Sequence, residues 1–494
     1  MIMQQAVSIS TQQSDRFIFG TTRQYQKKCL RLADKLLASY GTVDTISQYE
    51  NRINAYPHLS TLEPPRDVHM LEDEQAILHI RKIRAAKCIL AGKLFTEHAA
   101  AGEATRLGLG TKYLINMGTM LNLDQISRLM SQYRNEAITA EDIVGLAGCT
   151  PKDLLPLSLG TRHMLQFSYD IYRLAREFNA DPREVLARQK MLIVLNESTE
   201  ETIIDEIIQY RFFGFKRENV MFMVQKAYPG ICFENGMARF APESPSRLHN
   251  HGYIMLQQTM PDQIFIVDEK RRRQFLEPYE YGDILEGMDD KITYNIEDLE
   301  FLTGAIDYEA LGFALERGRK GVRMLMEIVK NDPENPQKGG MAAYDPIVRK
   351  NVMVESFQLM GIANENISYL NKNFNHYPNP YESWSIVKVF GLNMPVTVKN
   401  GYLYYQPVQG DMNFLVNTEF YQRKNIKPIR AWKSIANTPQ AMHYMHLQDN
   451  QEGFRRYQAV YTSPFISDVD FPRFTVAGDN TPVLPNEEHH HHPN

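Results

Sequence analysis

A turn of small residues followed by two cations has the composition of a phosphate-binding loop. The segment Ala99–Lys112 opens with three alanines and a glycine, contains Arg106 and ends at Lys112. Small side chains after a strand let backbone N–H groups approach phosphate oxygens closely. Arg106 can then bind a triphosphate through two hydrogen bonds, and Lys112 can bind it as a mobile point charge. The same spacing also fits an ordinary Ala/Gly turn with two solvated cations.

The elements that must position this loop are typical of an α/β sheet. Apolar, β-branched or Met-rich runs alternate with helical segments, which indicates a mainly parallel sheet covered on both faces. Such a sheet binds ligands outside the carboxyl ends of its strands. The predicted strands are Lys93–Ala101, Lys190–Leu195, Asn219–Gln225, Gln263–Val267 and Lys291–Tyr294. The predicted helices are Gln24–Tyr40, Asp73–Ala91 and Glu200–Tyr210, with a helical stretch from Met117 to Leu186 that breaks near Gly148–Pro151 and Gly160.

The small-residue loop resembles the nucleotide-binding loop of the UDP-sugar pyrophosphorylase family. That loop reads roughly A-G-G-x-G-T-R-L-G followed by P-K, and the block Thr105–Gly108 matches it outright. The departures are Ala101 and Ala104, where the family has glycine, and Thr111, where it has proline. A loop that required positive φ at either alanine would be strained, because alanine disfavours that conformation far more than glycine does.

The resemblance continues in the family's order as far as Asn373. Leu157–Arg162 is similar to L-P-S-x-K-T, with Arg162 near the family's lysine, and Leu192–Thr199 is similar to a strand ending in M-T-S-x-x-T. Further similar segments are Phe213-Gly214 with Val220–Gln225 (F-G and F-x-Q), Asn250–Tyr253 (G-H-G-D), Tyr294–Leu299 (N-x-D-N-L), Lys338–Gly340 (K-G-G) and Leu370–Asn373 (F-N-T-N). Each match alone is weak, but their common order favours a real relationship.

The resemblance implies a Rossmann-like α/β fold of the nucleotide-diphospho-sugar transferase type, with a mixed, mainly parallel sheet. We expect a nucleotidyltransferase core at 81–430, a helical N-terminal region at 1–80 and a short C-terminal region at 431–494. Residues 113–156 are expected to form a helical insertion within that core. The C-terminal region lacks the repeated short strands of a β-helix, so octamers built on such a domain are not expected, and both monomer and dimer stay open.

The resemblance also implies a reaction, in which UTP and a sugar 1-phosphate give a UDP-sugar and pyrophosphate. Arg106 and Lys112 are the implied catalytic cations. The implied nucleotide-binding residues are Ala101, Gly102, Glu103 and Thr105 of the loop, with Gln225, His251 and Gly252. Gln225 at a strand end can offer an amide to a uracil edge, and Gly252 can let a base or ribose lie against bare backbone. A buried structural Gln225 and a plain turn at His251-Gly252 are the alternatives.

The remaining implied residues bind metal and sugar phosphate. Glu297 and Asp298 follow a strand near the expected phosphates, and paired carboxylates there suit Mg²⁺; an exposed acidic strand end is the alternative. The implied sugar-phosphate residues are Lys338, Gly339, Glu355, Asn371 and Lys388. For Lys338 a solvated turn, and for Lys388 a solvated strand lysine, are the competing interpretations.

Composition excludes several classes of protein. The 494 residues carry a net charge of −5, which argues against nucleic-acid binding. The four cysteines have no metal-ligand spacing, so we expect reduced thiols. The polar start and the absence of a long apolar run predict a cytoplasmic protein, or one exported by a dedicated apparatus. His489–His492 fits a solvated tail better than a metal site. Two other functions stay open: a non-catalytic nucleotide-binding module, and an enzyme that attaches a uridylyl or sugar group to a protein.

Overall fold

The computed structural model describes residues 20–71, 75–102, 108–424 and 431–463, together with the backbone of two short C-terminal strands. The predicted phosphate loop therefore lies partly outside the described residues, because Glu103, Thr105 and Arg106 belong to the gap at 103–107. No helix in the described ranges has the length and apolar character needed to cross a bilayer. The four cysteines form no disulfide, in agreement with the expected thiols.

Sixteen α-helices lie in the described ranges. They are α1 Thr22–Tyr40, α2 Val43–Gln48, α3 Glu50–Asn54, α4 Gln75–Leu90, α5 Met117–Met120, α6 Leu123–Arg134, α7 Ala140–Ala147, α8 Leu159–Glu177, α9 Pro182–Arg188, α10 Glu200–Gln209, α11 Gly252–Gln257, α12 Pro278–Glu286, α13 Tyr308–Arg319, α14 Pro380–Phe390, α15 Thr438–Asp449 and α16 Phe454–Thr462. The first, α1, begins with a capping box in which Thr21 and Gln24 bond each other's backbone N–H groups.

The strands are numbered in the same way. They are β1 His69–Leu71, β2 Leu94–Ala99, β3 Lys190–Asn196, β4 Val220–Gln225, β5 Ala227–Tyr228, β6 Ile231–Glu234, β7 Met237–Phe240, β8 Arg247–Leu248, β9 Ile264–Val267, β10 Arg273–Phe275, β11 Asp290–Asn295, β12 Met324–Lys330, β13 Met341–Asp345, β14 Lys350–Val354, β15 Tyr369–His376, β16 Val396–Lys399, β17 Tyr402–Tyr405, β18 Thr418–Arg423, β19 Thr475–Val476 and β20 Pro482–Val483.

The central sheet confirms the predicted fold class. Its strand order is β1-β18-β12-β15-β11-β2-β3-β4-β9-β10, with the β13–β14 hairpin attached to β15. The neighbours β11, β2, β3 and β4 run parallel, as do β1, β18 and β12. Strands β15, β9 and β10 are antiparallel additions, so the strand predicted near Gln263–Val267 is not part of the parallel set.

Strand β3 explains why helices cover both faces of the sheet. Its alternate residues Met191, Ile193 and Leu195 pack into one apolar cluster, while Leu192 and Val194 pack into another on the opposite face. An unbroken apolar strand of this kind is stable only when both of its faces are buried. The first cluster contains residues of α8 and α15, and the second contains residues of α11, α12 and α14.

The predicted break near Gly160 corresponds to the non-helical residues 154–158 before helix α8, although Gly160 itself is helical. Helix α8 starts at Leu159, is capped by the Ser158 hydroxyl, and carries Gly160 in its first turn. A Cβ at Gly160 would lie 2.0 Å from the ring of Tyr113, so glycine is needed there for close packing. The segment expected to be an insertion contains α5, α6 and α7, and α7 packs against α15.

Candidate functional site

The carboxyl ends of four parallel strands meet at one edge of the sheet. Ala99 at the end of β2 pairs in register with Asn295 of β11 and with Val194 of β3. One strand further on, Asn196 pairs with Gln225 of β4. Polar side chains that are distant in sequence therefore come together at this edge, as the sequence predicts.

A cavity of about 410 Å³ opens at this edge, within the size range of small-molecule sites. Its wall combines the loop residues Ala101, Gly102 and Lys112 with Gln225 and side chains from several other elements. Those others are Ala99, Val194, Arg247, Leu248, Asn250, His251, Ile254, Asn295, Ile296, Glu297, Thr397, Tyr404, Tyr405 and Gln406. A second cavity of about 490 Å³ shares Ala101, Gln225, Arg247 and Leu248 with the first and extends to Asn196–Ser198. We call the two together the nucleotide cleft, after the ligand that the sequence resemblance leads us to expect there.

Asn196 anchors the base of the small-residue loop, a role that the sequence analysis missed. Its Nδ2 donates to the Ala101 carbonyl at 2.9 Å and to Thr111 Oγ1 at 3.2 Å. Its Oδ1 accepts from the backbone N–H groups of Ser198 and Thr199 at 3.1 and 3.0 Å. The available signal was an Asn closing an apolar strand before Ser-Thr, the pattern of a side-chain-stabilised turn.

Lys112 and Glu297 form an ion pair inside the cleft. Lys112 Nζ donates to Glu297 Oε2, and the two side chains are 13% and 17% exposed. The backbone N–H of Lys112 donates to the Gly102 carbonyl at 3.1 Å, which brings the two ends of the loop together. The predicted cation and the predicted metal ligand therefore neutralise each other, although 185 residues separate them.

Asp298 follows Glu297 in the chain, and its carboxyl has a raised pKa. Burial and the neighbouring Glu297 carboxylate raise the pKa of Asp298 to about 7, against the opposing influence of Lys433 and Lys112. The turn at Glu297 and Asp298 is also contacted by Trp432, whose backbone N–H donates to the Glu297 carbonyl at 2.9 Å. A cation beside Asp298 would favour its charged form, and an anion would favour its neutral form.

The fit of Mg²⁺ to this site rests on two carboxylates. Within the described ranges, no cluster of three or more His, Cys, Asp or Glu side chains is placed to hold a metal ion. Glu297 and Asp298 still match the donor chemistry of Mg²⁺, which commonly takes one or two carboxylates and completes its shell with substrate phosphates and water. The residues therefore fit a metal that binds together with a phosphate, rather than a resident structural ion.

Gln225 and His251 both line the cleft, as the sequence predicts, but each is already held by the protein. Gln225 is buried, and its Nε2 donates to the Asn250 carbonyl at 3.1 Å. His251 Nδ1 accepts from the backbone N–H of Gln409 at 3.0 Å. The second polar atom of each side chain, Oε1 of Gln225 and Nε2 of His251, could contact a ligand.

The expected role of Gly252 is wrong. Its N–H donates to the Pro407 carbonyl at 2.9 Å, and a Cβ there would lie 2.3–2.5 Å from the backbone of Pro407 and Val408. The protein's own chain thus fills the space beside Gly252, which is not among the residues lining the cleft. Glycine is needed here for packing of α11 against the 407–408 segment, not for approach of a base.

Three of the predicted sugar-phosphate residues come together elsewhere. Asn371 Nδ2 donates to Glu355 Oε1 at 3.5 Å, and Gly339 packs against the neighbouring Leu370. Burial raises the pKa of Glu355 to about 7, and the Asn371 hydrogen bond opposes this only in part. None of these residues lines the 410 Å³ cavity. They form a separate small cluster at the β14–β15 side of the sheet.

The two predicted sugar-phosphate lysines are placed differently from one another. Lys338 is exposed in the loop before β13. Lys388 lies on helix α14, not on a strand, and its Nζ stands 5.2 Å from the ring centroid of Trp384. That cation–π contact holds Lys388 against the helix on which both residues lie.

Arg162, the residue near the family's lysine, is structural. Its guanidinium is buried and binds both carboxylate oxygens of Asp449, at 2.7 and 3.2 Å. The same group also donates to the Leu155 carbonyl at 2.9 Å and to Gln448 Oε1 at 3.0 Å. Arg162 therefore ties α8 to α15 through a buried ion pair.

Arg247 is a cleft residue that the sequence analysis missed. It borders both cavities, and its guanidinium carbon lies 5.5 Å from the ring centroid of Tyr404. Strand β8, which carries it, is only two residues long and pairs with β5 directly after β4. So short a strand has no detectable periodicity, which explains the omission.

Comparison with known proteins gives relatives by fold alone. No model of a protein family matches the sequence, and no curated protein matches it. The solved structure of a uridine diphosphate N-acetylglucosamine pyrophosphorylase from Trypanosoma brucei is similar, with a TM-score of 0.54 and 14% identity over 84% of this chain and 79% of that one. A single-residue variant of a UDP-glucose pyrophosphorylase from Leishmania major is similar with a TM-score of 0.50 and 14% identity, over 99% and 83% of the two chains.

Proposed function

We propose that the chain is a nucleotidyltransferase that converts UTP and a sugar 1-phosphate into a UDP-sugar and pyrophosphate. One observation carries this proposal: Lys112, Glu297 and Gln225 line one cavity at the carboxyl edge of the sheet. A nucleotide needs charged groups for its phosphates and can use an amide for its base. The fold of the two pyrophosphorylases supports the same interpretation.

The proposed chemistry needs positioning and charge neutralisation rather than a covalent enzyme intermediate. An oxygen of the sugar phosphate forms a bond to the α-phosphorus of UTP. The bond from that phosphorus to the bridging oxygen of the leaving pyrophosphate breaks, and pyrophosphate departs with the electron pair. In this scheme Lys112 exchanges Glu297 for a phosphate oxygen, since a preorganised cation stabilises the charge that develops there.

A Mg²⁺ ion bound through Glu297 and Asp298 would neutralise further phosphate charge when present. The chain's own residues would then divide the work. Glu297 would leave Lys112 for the metal, and the freed lysine would face the triphosphate. Asp298, with its pKa near 7, would enter as a carboxylate because a cation favours its charged form. Retention of full activity in excess EDTA would refute the metal role.

Pyrophosphate release tests the proposal directly. The purified chain is incubated with UTP, Mg²⁺ and each member of a panel of sugar 1-phosphates, and pyrophosphate is measured. Release with at least one sugar phosphate, strongly reduced in Lys112→Ala, is the expected result. A control variant, Lys82→Ala, removes an exposed cation that pairs with Glu177 on the surface and should behave as wild type. Release from no sugar phosphate would overturn the catalytic proposal.

Nucleotide choice gives a second, independent test. Gln225 offers an amide to the base, so UTP should bind more tightly than ATP or GTP in calorimetric titration. Equal affinities, or a preference for ATP, would contradict the assignment of the base. UTP binding without pyrophosphate release would instead support a nucleotide-binding module or a protein acceptor.

A further inference from the structure

A third cavity, of about 330 Å³, lies where helices α1 and α3 meet the segment 393–396 of the core. We call it the apolar cavity, because nine of its fourteen lining residues are apolar. We propose that the apolar cavity binds a small organic anion with an apolar body and one N–H or O–H group. We further propose that its occupancy changes the affinity of the nucleotide cleft, a consequence that rests on the proposed function.

The two walls of the apolar cavity are held together by a polar clamp. Asn54 of α3 donates from Nδ2 to the Val396 carbonyl at 2.8 Å, and its Oδ1 accepts from the Val396 N–H at 2.9 Å. Packed interiors contain few voids larger than a water molecule, so a cavity of this size is not an ordinary packing gap. Its volume and its mostly apolar lining with a few polar groups are typical of small-molecule sites, which often lie where two parts of a protein meet.

One polar group of the lining is an acceptor that the protein leaves unused. Asn393 Nδ2 donates to Asp411 Oδ2 at 3.2 Å, and this contact fixes the orientation of the amide, because a carboxylate can only accept. Asn393 Oδ1 is then buried without a hydrogen-bond partner in the described part of the chain. Buried acceptors are normally satisfied, and an N–H or O–H group of a ligand would supply the missing donor.

The charge of the ligand follows from the wall that α1 contributes. Leu32, Lys35, Leu36 and Ser39 follow one another at helical spacing and line the cavity together. Lys35 and Ser39 are exposed, so they lie at the opening, whereas Leu32 is buried. Among the described residues of the lining, Lys35 alone carries a charge. An apolar body inside the cavity with an anionic group at its opening matches this arrangement.

The apolar cavity shares a wall with the nucleotide cleft. In the β16–β17 hairpin, Val396 pairs with Tyr405 and Thr397 pairs with Tyr404. Thr397 and Tyr404 line the nucleotide cleft, Val396 lines the apolar cavity, and Tyr405 lines both. Successive residues of a strand face opposite sides, so the hairpin separates the two spaces. A ligand in the apolar cavity would therefore contact the back of a wall of the nucleotide cleft.

Fluorescence titration with 1-anilinonaphthalene-8-sulfonate tests the binding on the full chain. This probe combines apolar rings, one N–H group and one sulfonate. Wild type should bind it saturably, and Ser39→Phe, which places a ring at the opening, should weaken binding at least about tenfold. The matched control Ala38→Phe changes the adjacent exposed residue, which does not line the cavity, and should shift the affinity by less than about twofold. Lys112→Ala should leave binding unchanged, which separates this site from the nucleotide cleft.

A second probe tests the predicted chemistry of the ligand. N-phenyl-1-naphthylamine has the same rings and N–H group but no sulfonate. Lys35→Gln should weaken binding of the sulfonate by about threefold or more and leave binding of the neutral probe nearly unchanged. Asn393→Leu should weaken both probes, because it removes the acceptor for their common N–H group. Equal effects of Lys35→Gln on the two probes would contradict the assignment of an anion.

Melting followed by circular dichroism without probe separates loss of the site from loss of the fold. Ser39→Phe and Ala38→Phe change exposed residues, so both should melt with wild type. If Ser39→Phe melts early, Ala55→Phe takes its place, at another lining residue whose backbone is extended. Absence of saturable binding to wild type, or equal affinity in Ser39→Phe and Ala38→Phe, would overturn the proposed site.

Calorimetric titration with UTP tests the connection between the two sites. Saturation with the sulfonate probe should change the UTP affinity of wild type by about threefold or more, and should leave that of Ser39→Phe unchanged. An unchanged affinity in wild type would overturn the connection through the hairpin. If UTP does not bind at all, the proposed function fails, while the probe titrations still decide whether the apolar cavity is a binding site.

Discussion

Two ion pairs in this protein each contain a cation that the sequence resemblance singles out, and the two pairs differ in how deeply they are buried. Lys112 contacts Glu297 at the edge of a cavity, and both side chains keep some exposure. Arg162 contacts Asp449 in the interior, with exposures of 1% and 0%. The Arg162 guanidinium also donates to the Leu155 carbonyl and to Gln448 Oε1, whereas Lys112 lines a cavity.

The difference indicates which cation can bind a ligand. A buried group whose charge is already paired within the protein gains little from a substrate, and breaking its ion pair destabilises the fold. A partly exposed pair at a cavity can exchange partners, because solvent or a phosphate compensates the loss. Motif position alone does not separate these two cases, but burial and the number of hydrogen bonds do.

The largest expected effect is on folding, from Arg162→Ala. The change leaves the Asp449 carboxylate buried without its partner, and loss of one member of a buried pair typically costs about 3–5 kcal/mol. Denaturant unfolding should show that loss, while the turnover of the folded fraction stays close to wild type. Arg188→Ala, which breaks an exposed pair with Glu184, should cost less than about 1 kcal/mol. Normal stability of Arg162→Ala would contradict the structural assignment.

The second prediction is the opposite one, a loss of turnover with nearly normal stability. Lys112→Ala should lower the rate of pyrophosphate release by about 10²–10³, the usual loss on removing one preorganised charge from a transition state. Its free energy of unfolding should change by no more than about 1 kcal/mol, because the pair that it breaks is partly exposed. Rate and unfolding are measured on the same preparation as for Arg162→Ala. If Lys112→Ala lost stability but kept a normal rate of pyrophosphate release, Lys112 would stabilise the fold, as Arg162 does, and would have no catalytic role.

Features of the fold and site could be predicted from the sequence when the residues that form them are close together in the chain. Strand β3 was predictable because its apolar run is local, and the edge containing Ala99 and Gln225 follows from the rule for parallel strands. The Lys112–Glu297 contact was not, since it depends on the adjacency of β2 and β11 across 185 residues. The buried pair of Arg162 with Asp449 was not predictable either, because α15, which carries Asp449, lies far downstream.

A third carboxylate, Glu355, extends the comparison, because burial raises its pKa without any cation nearby among the causes. The folded protein keeps this proton up to about pH 7, whereas the unfolded chain releases it near the ordinary glutamate pKa of 4.5. Stability should therefore fall as pH rises from about 4.5 to about 7 and then level off. Glu355→Gln lacks this ionisation, so above pH 7 it should be more stable than wild type by an amount on the order of 2 kcal/mol.

Unfolding curves between pH 4 and pH 8 check the Glu355 prediction. The advantage of Glu355→Gln should disappear towards the acid end, where both forms are neutral. Glu365→Gln, at an exposed turn residue, should show no difference from wild type at any pH. A constant difference across the range would mean that packing of the amide, and not the ionisation of Glu355, sets the stability.

The smallest expected effect tests whether helix α1 positions the nucleotide cleft. Tyr25 on α1 is buried, and its hydroxyl bonds His249 Nδ1 at 2.7 Å, one residue before Asn250, which lines the cleft. Tyr25→Phe removes the hydrogen bond to His249 Nδ1, a cost of about 1 kcal/mol. Because His249 directly precedes Asn250, whose carbonyl accepts from Gln225 Nε2, the affinity for UTP should also fall by a few-fold.

Tyr457→Phe is the matched control for Tyr25→Phe. It removes another buried hydroxyl, which bonds Ser168 in the helical layer. Its unfolding free energy should fall by a similar amount, while calorimetric titration shows unchanged affinity for UTP. Equal loss of stability with unequal loss of affinity would separate a residue that positions the cleft from one that only stabilises the fold. If both variants kept full affinity, α1 would belong with Arg162 as a structural element, and the cleft would be built by the sheet edge alone.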